Sequence, residues 1–136
     1  MEFRDLRAQY ERYQLEIDTA IKNVISRGEF IGGQAVNELE QRLAEYVGVK
    51  HCISCANGTE AMTLFMMAFN IKEGDAVFVP DFTFFSTAEA VAFRGAVPVF
   101  VEVERATFNM DTEKLERAIE KTLKEGRLRP RAIIAV

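Results

Sequence analysis

In the stretch CISCANGTEAM, residues 52–62, an apolar run breaks off into Ala56-Asn57-Gly58-Thr59, and a helix-like pattern follows at once. An elbow of that kind brings together unpaired backbone N–H groups and the positive end of a helix dipole, an arrangement that favours an anion. Gly58 lets a ligand come close to the backbone, and Thr59 adds a hydroxyl donor. The chemistry this would do is phosphate binding. The same residues also have a plainer use, because Asn57 or Thr59 can simply cap the helix. On local grounds the two readings stand level. The elbow is not a P-loop, since the GxxxxGK(S/T) spacing is missing, and it is not GxGxxG.

His51, Cys52 and Cys55 offer a rival chemistry. A structural zinc site needs four ligands, and the sequence has no second cysteine pair. A redox CxxC needs its first cysteine at a helix N-terminus to lower its pKa. Here both cysteines fall inside an apolar strand reading, so they are expected to be small buried hydrophobes. No metal site is expected. The single histidine lies at the far end of that strand from the elbow, which leaves no Ser-His-Asp or Cys-His device.

A second cluster, VPDFTFFSTAEAV, sets Phe82, Phe84 and Phe85 among Asp81, Thr83, Ser86 and Thr87. Aromatic side chains normally enter the core, and that is the expectation for Phe82 and Phe85. At the carboxyl end of a strand an aromatic can instead stack on a flat ring. A phosphate cradle at one strand end and an aromatic platform at the next suit a planar phosphorylated cofactor, of which pyridoxal phosphate is an example.

Alternating strands and helices must hold these groups. Helices are expected over residues 11–27, 35–47, 59–70 and 83–93, and after an N-cap at Asp111 until Gly126. Strands are expected over 49–56, 76–79, 97–103 and 133–136. Strand–helix alternation gives βαβ units and a parallel sheet, and strands apolar throughout imply that both sheet faces are covered. The fold class is therefore α/β, with three layers and helices on both faces. The two opening helices lie outside the alternation, and residues 1–34 are read as a helical arm with the glycine-rich loop GEFIGGQ.

The 136 residues amount to one domain, and the 49% apolar content is enough for a substantial core. Seventeen basic against 21 acidic residues leave a net charge of −4, which argues against nucleic-acid binding. No apolar run is long enough to span a bilayer, and the charged start MEFRDLRAQYERYQ has no signal core. A soluble, cytoplasmic protein without membrane association is expected. The chain closes on the buried-strand pattern AIIAV, which predicts a fragment of something longer.

Taken together, FRDLRAQY, GEFIGGQAVNELEQRLAEYVGV, CANGTEAM, GDAVFVPDFTFFSTAEAV, GAVPVFVEVERATFNMD and RAIIAV resemble the DegT/StrS family of nucleotide-sugar aminotransferases, which have the aspartate aminotransferase fold (fold type I). The resemblance runs through the whole chain in order, and it corresponds to roughly the first third of a usual family member. It implies pyridoxal 5'-phosphate as cofactor, a nucleotide-linked keto-sugar as substrate, an amino-acid donor such as glutamate, a homodimer, and a place in polysaccharide biosynthesis. It also implies that residues 35–136 are the first part of the cofactor-binding large domain. Gly58 and Thr59 match the phosphate-holding positions and Phe84 the stacking position, with Asn57 and Ser86 bordering them. The Gly28–Gly33 loop resembles one that lies near the active site at the dimer interface; plain dimer packing of Phe30 and Ile31 is an equal reading.

The resemblance implies an absence as well. The family's Schiff-base lysine lies beyond residue 136, and neither Lys50 nor Lys72 stands in its place, so the chain alone is expected to be inactive and to carry no catalytic residue. The first strand, 49–56, would pair with a strand supplied much later, while the other three neighbour one another. Two alternatives stay open: a dehydratase of the same family, in which histidine replaces the lysine, and a non-catalytic regulatory or remnant protein that keeps the fold.

Overall fold

The computed structural model describes residues 4–136. These fall into two compact units, divided between Ser54 and Cys55.

The first unit is helical. Helix α1, Leu6–Arg27, starts at Asp5, whose carboxylate accepts the Ala8 N–H at 2.8 Å. It begins five residues before the expected start at residue 11, where the Asp5 cap satisfies one of the free N–H groups of the first turn. The helix is interrupted at Tyr13 (φ −114°, ψ 16°), and the Tyr10 hydroxyl donates to Asp18 across the break at 2.9 Å. Helix α2, Gln34–Val47, starts from Gly33 at φ 100° and ψ 178°, a backbone state open in practice only to glycine. Of the side chains in these two helices, only Ala44 is buried.

The second unit contains helix α3 (Gly58–Ala68), strand β1 (Asp75–Pro80), helix α4 (Ser86–Ala92), strand β2 (Val97–Val101), helix α5 (Thr112–Glu125) and strand β3 (Arg129–Ile133). The strands form a parallel sheet in the order β2-β1-β3, with Pro80 opposite Val101 and Phe78 opposite Ile133. Successive residues of β1 point to opposite faces. Val77 and Val79 meet Met66, Ile71, Val91 and Ala96 on the α3–α4 side. Ala76 and Phe78 meet Leu115, Ala118 and Ile119 of α5 on the other. The expected three-layer α/β arrangement is thus present, with a core on each side of the central strand. Helix α5 begins at Asp111, whose side chain accepts the Glu113 and Lys114 N–H groups, and ends at left-handed Gly126, as its sequence predicts.

Asp75, at the start of β1, is buried yet ionic. Arg129 donates Nε and Nη2 to its Oδ1 at 2.9 and 2.7 Å, and the Lys72 N–H donates to Oδ2 at 3.1 Å. Burial pushes this carboxyl up, but the Arg129 and Lys72 hydrogen bonds outweigh it and hold it below the usual carboxylate range. The pair joins the first residues of β1 and β3, just before the register shift between Ala76 and Val77.

Several expected elements differ. Residues 49–56 are not a strand, because a ladder needs a partner and no strand among the described residues pairs with them. The Ser54 N–H and hydroxyl both donate instead to Glu40 Oε1, at 2.7 Å each. Cys55 is accordingly exposed and Cys52 only half-buried, contrary to the expectation that both are core residues. Strand β3 lies upstream of the expected 133–136. The Asp75 pair fixes its start, and its last ladder bond is Ile134 N–H to Phe78 O at 2.9 Å. The expected full covering of the strands holds for β1 alone, since β2 and β3 are edges with exposed residues. Strand β2 stops at Val101, and Val103 bridges antiparallel to Met110 across the following turn. Helix α3 ends two residues before the expected 70, with Asn70 turning at φ 52°.

Candidate functional site

The elbow forms a helix start as its sequence suggests. Asn57 is extended (φ −166°, ψ 173°), and its Oδ1 accepts the Glu60 N–H at 2.9 Å. Glu60 turns back, and its Oε2 accepts the Ala56 N–H at 3.2 Å. This exchange resembles a capping box displaced by one residue. The cap reading of Asn57 is therefore correct, and it leaves other donors over. Among the described residues, the Gly58 and Thr59 N–H groups have no hydrogen-bond acceptor.

A Cβ built on Gly58 would meet nothing within 4 Å, so the approach to its backbone is open. Thr59 is half-buried, and its carbonyl accepts the Thr63 hydroxyl at 3.0 Å. Asn57, Thr59 and Glu60 line one cleft of about 660 Å³ with Thr63, Leu64 and Phe93. That volume suits a small organic ligand. Two uncapped amides and a hydroxyl at the positive end of a helix fit a phosphate. The Glu60 carboxylate works against an anion, but it faces back toward Ala56.

The second cluster occupies the turn after β1, at the carboxyl end of the central strand. The Asp81 N–H donates to Val101 O at 2.9 Å and extends the β1–β2 ladder by one bond. Helix α4 then starts at Ser86, three residues later than the sequence suggests. Ser86 and Thr87 are buried, and the Thr83 and Thr87 hydroxyls bond each other at 2.8 Å. Phe84 is 78% exposed and Phe85 73%.

The expectation that Phe82 and Phe85 pack into the core is thus wrong. That expectation rested on the general preference of aromatic rings for the core, and residues 81–85 form a turn ahead of α4. The short helix buries Ser86, Thr87, Ala90 and Val91, and this leaves all three rings outside. Phe82 lies against Phe108, with ring centroids 5.1 Å apart and planes at 43°. Phe108 comes from the turn after β2, and the sequence reading missed it. So did that reading miss Thr63, Leu64 and Phe93, whose only signal is helical spacing from residues already singled out.

The structure therefore gathers Asn57, Gly58 and Thr59 at one helix start and places Phe84 and Ser86 around the turn after β1. Phe84 and Ser86 do not line the elbow's cleft.

In a parallel three-layer α/β unit, a helix start that keeps two free amides beside a cleft is an arrangement that can accept a phosphorylated ligand. More specifically, residues 12–136 match the family model described as the DegT/DnrJ/EryC1/StrS aminotransferase family, and the chain belongs to that family. It is 48% identical over 119 residues to the UDP-2-acetamido-2-deoxy-3-oxo-D-glucuronate aminotransferase of Pseudomonas aeruginosa, covering 88% of this chain and 33% of that protein. It is 42% identical over 117 residues to the dTDP-3-amino-3,6-dideoxy-alpha-D-galactopyranose transaminase of Aneurinibacillus thermoaerophilus, covering 86% of this chain and 32% of that one.

Among solved structures, a DegT DnrJ EryC1 StrS aminotransferase from Brucella abortus superposes with a TM-score of 0.96 at 51% identity, over 99% of this chain and 36% of that chain. NtdA from Bacillus subtilis, with bound cofactor PMP, superposes with a TM-score of 0.75 at 30% identity, over 79% of this chain and 25% of that chain. The fold is that of the fold type I pyridoxal-phosphate-dependent aminotransferases. The chain spans about a third of the length of the curated relatives it matches.

Proposed function

We propose that these residues are the N-terminal part of a pyridoxal-phosphate-dependent aminotransferase that moves an amino group, with glutamate as donor, onto a keto-sugar carried by a nucleotide. The observation that carries this reading is the start of α3, where two amides without acceptors and the Thr59 hydroxyl meet beside an open cleft, in a chain of an aminotransferase family. The names of the relatives, both of which act on nucleotide-linked sugars, support the substrate class.

In this reading the Gly58 and Thr59 amides and the Thr59 hydroxyl hold the cofactor phosphate. Asn57 contributes by fixing the elbow, since its side-chain oxygen is committed to Glu60. Phe84 offers its exposed ring face to the pyridine ring, and Ser86, the first residue of α4, borders that platform. Pyridoxal phosphate, when bound, supplies an electron sink for the carbon that carries the amino group. The residues of this chain orient that group and shield one of its faces, and the lysine that joins to it is proposed to lie outside these 136 residues. The whole protein is further proposed to be a cytoplasmic homodimer, with residues 1–34 as its arm and 35–136 as the first part of its large domain.

The test is cofactor titration of the full-length protein that contains this chain, followed by absorbance and by amino transfer from glutamate to a UDP- or dTDP-linked keto-sugar. The expected result is stoichiometric cofactor binding that is weakened in Thr59→Val. Equal binding by Thr59→Val and the unaltered protein refutes the phosphate assignment.

A further inference from the structure

Phe108 is held in a conformation that its side chain disfavours. Its φ is +60°, where the Cβ of any residue but glycine crowds the neighbouring carbonyl, and a bulky residue there is an outlier that its surroundings must impose. The imposing contacts are local. The Phe108 N–H donates to Glu104 O and the Glu104 N–H to Asn109 O, each at 2.8 Å. The Thr107 hydroxyl donates to Glu104 Oε2 at 3.0 Å, and the Val103–Met110 bridge closes the base of the turn.

The Phe108 ring fills no core, since it is 55% exposed, and it lies against Phe82. What it gains is position. Pro80 of β1 and Val101 of β2 are register partners, so the turns that follow them leave the same end of the sheet side by side. Phe108 leans from the second turn onto the first. That first turn is fastened to the ladder by the Asp81 N–H at one end and to α4 by the Thr83–Thr87 hydroxyl bond. Between those points, Phe82 is the ring in aromatic contact, and Phe84 follows two residues later.

We infer that Phe108 is a positioning residue, bracing Phe82 ring to ring so that the turn over residues 81–85 presents Phe84 in one fixed place. The inference rests on the reading of Phe84 as the cofactor's platform. Phe108 itself touches no ligand in this scheme. Its left-handed backbone is the cost of aiming the ring across to the neighbouring strand's turn.

The experiment uses the full-length protein with Phe108→Ala, Phe108→Asn and Phe108→Tyr. Asparagine tolerates the left-handed backbone but has no ring, so it separates ring from strain; tyrosine keeps the ring. The first readout is the rate at which chymotrypsin nicks the cofactor-free protein after Phe82, Phe84 or Phe85, mapped by mass spectrometry. The second is the rate of cofactor release by absorbance, well below the melting temperature. Both rates are expected to rise about fivefold in Phe108→Ala and Phe108→Asn, the scale of one aromatic contact, and to stay unchanged in Phe108→Tyr.

Unchanged nicking in Phe108→Asn overturns the brace, whatever the cofactor does. If nicking rises while cofactor release does not, Phe84→Ala decides between the two ideas. Faster release from Phe84→Ala then overturns the positioning role of Phe108. Unchanged release overturns the platform reading itself, and the role inferred for Phe108 with it.

Discussion

Residues 55–136 and residues 4–54 both follow an amphipathic pattern, yet they end in different states. In the former, β1 lies between two clusters of apolar side chains and Phe78 is 1% exposed. In the latter, helices with apolar stripes bury only Ala44, and Tyr46 is 90% exposed. A stripe of apolar residues states which side of a helix should be covered. Whether it is covered depends on a partner surface, and β1 has one on each face. Periodicity is thus a property of a segment, while burial is a property of a pair.

The sharpest test of this contrast compares Phe78→Ala with Tyr46→Ala in the 136-residue chain by urea denaturation. Phe78→Ala is expected to remove about 3–5 kcal/mol, the cost of a core cavity, or to abolish the cooperative transition. Tyr46→Ala is expected to change stability by no more than about 0.5 kcal/mol, as at an ordinary surface position. Similar losses in both break the comparison.

A smaller effect tests how the second unit aligns its strands. Arg129→Ala leaves the buried Asp75 carboxylate with the Lys72 N–H as its remaining donor and should cost about 2 kcal/mol, the scale of a hydrogen bond to a charged group. The Asp75 carboxyl is held below its ordinary value, so its contribution is complete above the unfolded-state value and fades as pH falls through the folded-state one. Urea midpoints measured from neutral pH into the acid range should therefore show the unaltered protein losing its advantage over Asp75→Asn as pH falls. An advantage that grows in acid contradicts the assignment.

Next in size are the proposed cofactor contacts, read in the full-length protein by cofactor dissociation. Thr59→Val, which removes a hydroxyl aimed at a charged group, should weaken retention by about 1.5 kcal/mol. Phe84→Ala should weaken it by about 1 kcal/mol, while Phe84→Tyr and Phe84→Trp, which keep a flat face, should be tolerated.

The smallest expected effect belongs to Phe85→Ala. With this ring 73% exposed, thermal stability should move little, since no core cavity forms. A large drop in melting temperature for Phe85→Ala shows that the ring has a partner in the intact protein.

Where local chemistry decides, the amino-acid order was sufficient. Asp111 starts α5 because a carboxylate placed before a helix finds free N–H groups, and Gly126 stops it because a left-handed residue costs glycine little. The elbow at Asn57 was legible for the same reason, and so was the parallel α/β class, which follows from strands alternating with helices. Family motifs spread along the chain carried the proposed roles of Gly58, Thr59 and Phe84, which no local argument could separate from a cap or a core ring.

Tertiary contacts decided the rest. Residues 49–56 have the composition of a strand but no ladder partner among the described residues, and strand propensity without pairing does not make a strand. The start of β3 was set by Arg129 reaching Asp75, 54 positions earlier, a contact that no window of sequence contains. Which phenylalanines of DFTFF face outward followed from where α4 begins and from what its first turn buries. The part of Phe108 rests on a neighbouring strand's turn lying at the right distance. In each case the deciding energy comes from groups far apart in the chain, so it exists only once the sheet has brought them together.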